Sequence, residues 1–344
     1  MSPESTIVRE QRTGTTTASI VSFNEHCFTD KGLDDPDQAV GLISECSAVW
    51  IDIQGRYDRE FVRRLVAHVS KEKGVADELL DRSGVSSYKL HNDCFVLSFQ
   101  ILSDDGLSVI DQISLLQKGN TVVTVHCQPL PSIEQVKTDI RAHHGLMHNN
   151  GRLYLVQRFV EAAIDRYQDA LDGFSCRLEK MEDEVMTTSE RSMACSIHQS
   201  RKDLIAIKRR LLPFKDALRR MVRDSRYYAS EDEKLIAHDL LDHAGLAMEN
   251  VEYFISLTSD LMSLHMSSVS NRMNEVTTFL TILAAIFLPP TLITGIYGMN
   301  FYQRSSPWSM PEPLGLMVFI SAGFLFFFWR HGWFRVFRRA EDDS

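Results

Sequence analysis

Two uncharged apolar runs near the C-terminus constrain this chain more than any other feature. The first is FLTILAAIFLPPTLITGIYGM, from Phe279 to Met299, and the second is LGLMVFISAGFLFFFW, from Leu314 to Trp329. A helix rises 1.5 Å per residue, so roughly 20 residues cross a hydrocarbon core about 30 Å thick. Both runs read as membrane spans, the first over residues 277–299 and the second over 313–333 with its flanks reaching the interfaces. Trp308, Trp329 and Trp333 suit the headgroup belts. The competing reading is a hairpin buried in a soluble domain, where uncharged runs of this length are scarce.

The flanks set an orientation. Arg330, His331, Arg335, Arg338 and Arg339 follow the second span, whereas the intervening 301–312 loop holds Arg304 and Glu312. The positive-inside rule puts the basic start of the 334–344 tail in the cytoplasm, and a pair of spans returns the N-terminus there as well. The opening MSPESTIVREQRTGTTT has no apolar stretch that would direct export. The expectation is a cytoplasmic body carried by a C-terminal membrane hairpin.

Charge narrows the class. The chain has 46 Asp and Glu against 37 Lys and Arg, a formal net charge of −9. A nucleic-acid-binding body is normally basic, so that partner is set aside. An acidic body beneath a pore concentrates cations; ordinary solubility explains the same charge. Cys27, Cys46, Cys94, Cys127, Cys176 and Cys195 form no C-x-x-C pair and read as reduced thiols. No P-loop, G-x-S-x-G or H-E-x-x-H is present, so the chain does not read as an enzyme.

The body reads in two parts. Residues 1–18 are polar and Thr-rich and are expected to be disordered. Residues 19–147 alternate strand and helix patterns, an α+β domain. Residues 48–53 read as a strand, residues 58–69 as an amphipathic helix and residues 75–81 as a short helix. Residues 94–102, 107–116 and 121–127 read as strands, with Lys118-Gly119-Asn120 turning the last pair. Residues 148–230 read as long antiparallel helices, the second interrupted at Pro213. A third helix, over 231–300, meets no strong breaker until Pro289-Pro290 and runs roughly 90 Å as a stalk entering the membrane. Leu240, Ala244, Ala247, Val251, Phe254, Met262 and Val269 form its expected packing stripe.

Within that helix, steps of three and four from Asn274 pass Thr277, Thr281, Ala284, Leu288, Thr291 and Gly295. One face is small or polar apart from Leu288. Close helix packing selects such residues, and so does a pore. The helix ends in Gly298, Met299 and Asn300. An amide oxygen at the negative end of the helix dipole is a hard ligand suited to a hydrated cation.

Taken together, SSVSNRMNEV at 267–276, Leu280-Thr281, IFLP at 286–289 and GIYGMNF at 295–301 resemble the CorA family, which includes the ZntB zinc transporters. The resemblance implies a homopentameric funnel in a bacterial inner membrane, transporting Mg²⁺ or Zn²⁺, with Co²⁺ or Ni²⁺ as further substrates. Gly298, Met299 and Asn300 would form the outer selectivity ring and bind the ion's water shell. Asn274 and Thr291 would be polar rings; Leu280 and Leu288 would be apolar constrictions. Thr277 stands where the family often has an apolar gate residue. Met310-Pro311-Glu312-Pro313 follows a longer spacer than usual.

A second cluster lies on the long helix. Asp239 and His243 are four apart and Asp242 three from Asp239, so the group shares a face. Carboxylate with imidazole suits Zn²⁺ or Co²⁺; a solvated charged face is the plainer reading. The resemblance pairs Asp239 with a neighbouring subunit's acidic residue, here Glu78 or Asp81, around a regulatory cation. No obligatory cofactor is expected. Three functions remain: a magnesium channel, a ZntB-like zinc transporter driven by protons or working in efflux, and a membrane-anchored sensor or scaffold without transport.

Overall fold

The computed structural model describes residues 17–23, 28–39, 43, 48–55, 58–103, 106–143, 151–187, 191–224, 231–299 and 311–331. The chain divides into two compact units. One combines Met1–Met181 with Cys195–Asp260, and the other combines Glu182–Ala194 with Leu261–Ser344.

Seven strands build the first unit's sheet: β1 (Thr17–Phe23), β2 (Phe28–Gly32), β3 (Ala48–Gln54), β4 (Ser87–Leu90), β5 (Phe95–Leu102), β6 (Val109–Lys118) and β7 (Thr121–His126). Their order is β2-β1-β3-β7-β6-β5-β4. β3 pairs parallel with β7, and the remaining pairs are antiparallel. The tight β6–β7 hairpin turns at Gly119, whose φ of 53° is the left-handed conformation a residue without Cβ adopts freely. β1 begins at Thr17, inside the stretch expected to be disordered; residues 1–16 lie outside the described residues. β6 begins at Val109, two residues beyond the expected start, because Gly106 and its neighbours form the preceding turn.

Helix α1 (Arg59–Val69) starts where the Asp58 carboxylate accepts from the Glu60 N–H at 3.0 Å. It packs with α2 (Val75–Leu79) on one sheet face. Alternation along β3 sends Val49, Ile51 and Ile53 into that layer, against Val62, Leu65 and Val66. The opposite residues, Trp50 and Asp52, face the other way. There Trp50 meets Phe159 edge-on with ring centroids 5.1 Å apart, and Phe99 lies 5.5 Å from Phe214. Those aromatic partners come from α4 (Gly151–Thr187) and α5 (Arg191–Arg223), which follow α3 (Pro131–His143).

Helix α5 runs unbroken through Pro213, contrary to the expected interruption. Proline removes one N–H, but Leu211, Phe214, Ala217 and Leu218 around it are buried. Tertiary packing offsets the lost backbone bond.

Helix α6 (Glu231–Met299) spans 69 residues, on the order of 100 Å. Its buried stripe starts as expected with Leu240, Ala244, Ala247 and Val251. It then follows Thr258, Leu261 and His265 instead of Met262 and Val269. The second unit buries Val185 and Met193, from the ends of α4 and α5, together with Leu261 and His265; farther along, Ile282 and Phe328 are buried. Phe328 belongs to α7 (Pro311–Arg330).

Candidate functional site

The last third of α6 is apolar and exposed. Among the described residues α6 alone is long and apolar enough to cross a membrane, with mean hydropathy 2.0. Helix α7 is apolar but shorter over Leu314–Arg330. Asn274, Thr277, Leu280, Thr281, Ala284, Leu288 and Thr291 are all exposed on α6. Three- and four-residue steps keep most of them on one face, and the same steps reach exposed Ser270 and Ser267, which extend the polar stripe beyond its expected start. An open groove of about 600 Å³ runs along the upper part, lined by Ala284, Phe287, Leu288, Thr291, Leu292 and Gly295, among others. The helix continues through Gly298 and Met299; Asn300 lies outside the described residues.

The threonines have a specific hydrogen-bonding state. Thr277 Oγ1 donates to the Met273 carbonyl at 2.9 Å, Thr281 Oγ1 to that of Thr277 at 2.8 Å and Thr291 Oγ1 to that of Phe287 at 2.7 Å. A hydroxyl has one proton and two lone pairs. With the proton committed to its own helix, each oxygen offers acceptors to the outside. Thr278 and Thr294, off this face, make the same bond to the carbonyl four residues back, at 2.8 Å each. The sequence marked the positions on the stripe as small and polar; only the geometry assigns their protons.

The second cluster is looser. His243 Nε2 lies 3.8 Å from Asp239 Oδ1, and both side chains are exposed, as is Asp242. Facing α4 contributes further carboxylates. Asp165 is pushed up by burial and by Glu161 and Asp169, with Arg158 and His243 opposing. Glu78 and Asp81 line a common depression of about 570 Å³ with Arg59, Asp77 and Arg82. Glu78 is already engaged, with Oε2 2.8 Å from His91 Nε2 and Oε1 3.6 Å from Lys89 Nζ. Asp81 Oδ1 accepts from the Ser83 N–H at 3.1 Å. Among the described residues, no group of three or more His, Cys, Asp or Glu is arranged within one chain to hold a metal ion.

Sequence reasoning missed a buried charge network behind the sheet. Asp52 Oδ1 accepts from Thr124 Oγ1 at 2.7 Å and lies 3.0 Å from His126 Nε2, while Asp52 Oδ2 lies 3.2 Å from Lys137 Nζ. His126 Nδ1 lies 2.6 Å from the Gln128 carbonyl. Burial alone would raise the Asp52 pKa, but His126, Lys137 and Thr124 together hold it below the usual carboxylate range. Burial opposes charge on His126 too, yet Asp52 and the Gln128 carbonyl raise its pKa. Alternation put Asp52 on the opposite face from Ile51 and Ile53, which was the available signal. Its partners are 72 and 74 positions away.

The chain combines a seven-stranded sheet with a long helix whose exposed, hydroxyl-bearing end is long and apolar enough to cross a membrane. A family model described as "CorA-like Mg2+ transporter protein" matches residues 46–331, and the chain belongs to this family of divalent metal transporters. It is 25% identical over 322 residues to the cobalt/magnesium transport protein CorA of Thermotoga maritima, covering 91% of each chain. It is 21% identical over 179 residues to the zinc transport protein ZntB of Pectobacterium atrosepticum, covering 52% of this chain and 54% of that one. The complete CorA magnesium transporter structure from Methanocaldococcus jannaschii superposes with a TM-score of 0.72 at 20% identity, over 92% of this chain and 98% of that one. The fold is therefore shared over nearly the whole length.

Proposed function

We propose that this chain forms a homopentameric channel for a hydrated divalent cation, Mg²⁺ first among them. Five copies of α6 line the path, with the segment at 277–299 as first span and 313–333 as second. Both termini are cytoplasmic in a bacterial inner membrane. Gly298, Met299 and Asn300 ring the outer mouth. Thr291, Thr281, Thr277 and Asn274 provide polar rings, Ala284 leaves room, and Leu288 and Leu280 are apolar constrictions that gate by dewetting. The observation carrying this reading is the exposed row of threonines whose protons are committed to their own helix. Mg²⁺ sheds water reluctantly, so acceptors spaced for a water shell suit it.

Zinc is the second reading, favoured by the resemblance to ZntB and by the His243–Asp239 pair. In either case a cation held by Asp239, Asp242 and His243 against Glu78 or Asp81 of a neighbouring copy would regulate the path. Losing that cation leaves carboxylates opposed and biases the assembly open.

The test is uptake into proteoliposomes loaded with a fluorescent indicator, comparing Mg²⁺ with Zn²⁺ and imposing or removing a pH gradient. Mg²⁺ flux that is lost in Asn300→Ala and indifferent to pH supports the channel. Zn²⁺ flux that follows the proton gradient supports the second reading. Flux unchanged by Asn300→Ala rejects the proposed mouth, and absence of flux for both ions leaves an anchored scaffold or sensor.

A further inference from the structure

The turn between β7 and α3 is held from two sides. On one, Asp111 Oδ2 accepts from the Cys127 N–H at 2.6 Å and from the Gln128 N–H at 2.8 Å, while Asp111 Oδ1 accepts from Arg82 Nη1 at 2.7 Å. On the other, the buried His126 ring bridges the Gln128 carbonyl and Asp52. Cys127, Gln128 and Pro129 are exposed, whereas His126 before them and Leu130 after them are buried. Pro129 and Pro131 carry no N–H, so the turn has few donors of its own. Each remaining contact therefore carries a large share of its anchorage.

The His126 contacts depend on its proton count. Nδ1 faces the Gln128 carbonyl at 2.6 Å and Nε2 faces Asp52 Oδ1 at 3.0 Å. Imidazolium donates through both nitrogens, but neutral imidazole donates through one and accepts through the other. In either neutral tautomer one contact becomes acceptor against acceptor. Asp52 is the stronger claimant, because hydrogen bonds to ionised groups are roughly twice as strong as neutral ones. A neutral ring therefore keeps its proton on Nε2 and turns a lone pair toward the Gln128 carbonyl. The two repel at that distance, and the exposed turn is the part able to move.

We propose that His126 is a pH-operated latch: as imidazolium it seats the β7–α3 turn, and as neutral imidazole it releases the Gln128 carbonyl and lets residues 127–130 lift. Charged groups meet the latch from several elements. Asp52 on β3 and Asp111 on β6 favour the imidazolium, and Arg82 stands behind Asp111. Lys137 on α3 competes for Asp52 through its other oxygen, with Glu134 and Asp30 of β2 acting on Lys137 in turn. Helix α4 brings the apolar Phe159 against Trp50. Ile133, Val136 and Ile140 are buried, so the body of α3 stays in place. Because the folded His126 pKa is raised, the latch is closed at low pH and opens as pH rises through that value.

Hydrogen exchange of the full reconstituted chain from pH 6 to 9, corrected for the intrinsic rate at each pH, tests this. Protection of the Cys127 and Gln128 amides is expected to fall roughly tenfold as pH rises, the scale of one hydrogen bond lost, while β5 stays constant. His126→Gln should abolish the step. Lys137→Met keeps the stem and removes the competing cation, so the step should move to higher pH. Unchanged exchange in β5 certifies the fold of either variant. Constant protection in the unsubstituted chain overturns the latch, as does a step that survives His126→Gln. If only Lys137→Met folds, a step that stays in place or moves to lower pH overturns it.

Discussion

His126 Nε2 sits 3.0 Å from Asp52 Oδ1 across the parallel β3–β7 pair, while His126 Nδ1 faces the Gln128 carbonyl at 2.6 Å. Both ring nitrogens meet acceptors, an arrangement that favours the protonated imidazole, and Asp52 and the Gln128 carbonyl raise its pKa against the opposing effect of burial. Lys137 adds a second positive charge 3.2 Å from the other Asp52 oxygen and ties α3 to the sheet.

This arrangement gives the sheet domain an optimum in pH. Asp52 has a lowered pKa when folded, so its contribution is complete above the unfolded value of about 3.9 and fades as pH falls through the folded one. His126 has a raised pKa, so its contribution is complete below about 6.5 and fades as pH rises through the folded value. Thermal unfolding followed from pH 4 to 9 should show the alkaline decline. His126→Gln should remove that decline and destabilise by about 3 kcal/mol, the lower range for breaking a buried pair. An unchanged alkaline arm would mean the imidazole is neutral.

Gly106 is a steric contact rather than a mere turn. A Cβ there would lie 2.4 Å from Ala170 Cβ on α4, and its φ is +69°. Gly106→Ala should destabilise by about 2 kcal/mol, from strain and overpacking together. Denaturant titration measures it, and a loss below roughly 0.5 kcal/mol would show that the β5–β6 turn can lift away from α4 freely.

Thr291→Val preserves shape and deletes the oxygen. If the hydroxyl ring contacts the ion's water shell, Mg²⁺ flux in proteoliposomes should fall about tenfold, equivalent to roughly 1.4 kcal/mol of barrier. Thr291→Ser should retain flux. Equal rates in both variants would take Thr291 out of the path.

Asp239→Asn should weaken any regulatory cation. Protection of the full chain from limited proteolysis, titrated with Mg²⁺ and separately with Zn²⁺, is expected to need roughly tenfold more cation in the variant. Identical titration curves would reduce Asp239, Asp242 and His243 to a charged face.

Much of the fold was legible because its signals are local. A short apolar run ending at Gln54-Gly55 marked β3, apolar periodicity marked α1, and the lack of a strong breaker before Pro289-Pro290 predicted one helix over 231–300, which the structure shows over Glu231–Met299. At Pro213 a local rule failed, since the buried side chains around it outweigh one missing N–H. The candidate path was legible as a small, polar stripe for the same periodic reason. The state of its hydroxyls was not, because sequence spacing carries no hydrogen-bond direction.

By itself, the sequence determined a long apolar helix, a polar stripe along it and membership of a transporter family. These follow from residue type at short, regular spacing, which backbone geometry converts directly into faces. Tertiary structure alone decided the sheet order with its single parallel pair and the engagement of Glu78 by His91. It also decided the burial of Asp52 with His126 and Lys137. Each of those depends on which distant groups meet, and desolvation makes the choice of partner decisive: a charge removed from water must find its opposite wherever the fold delivers it.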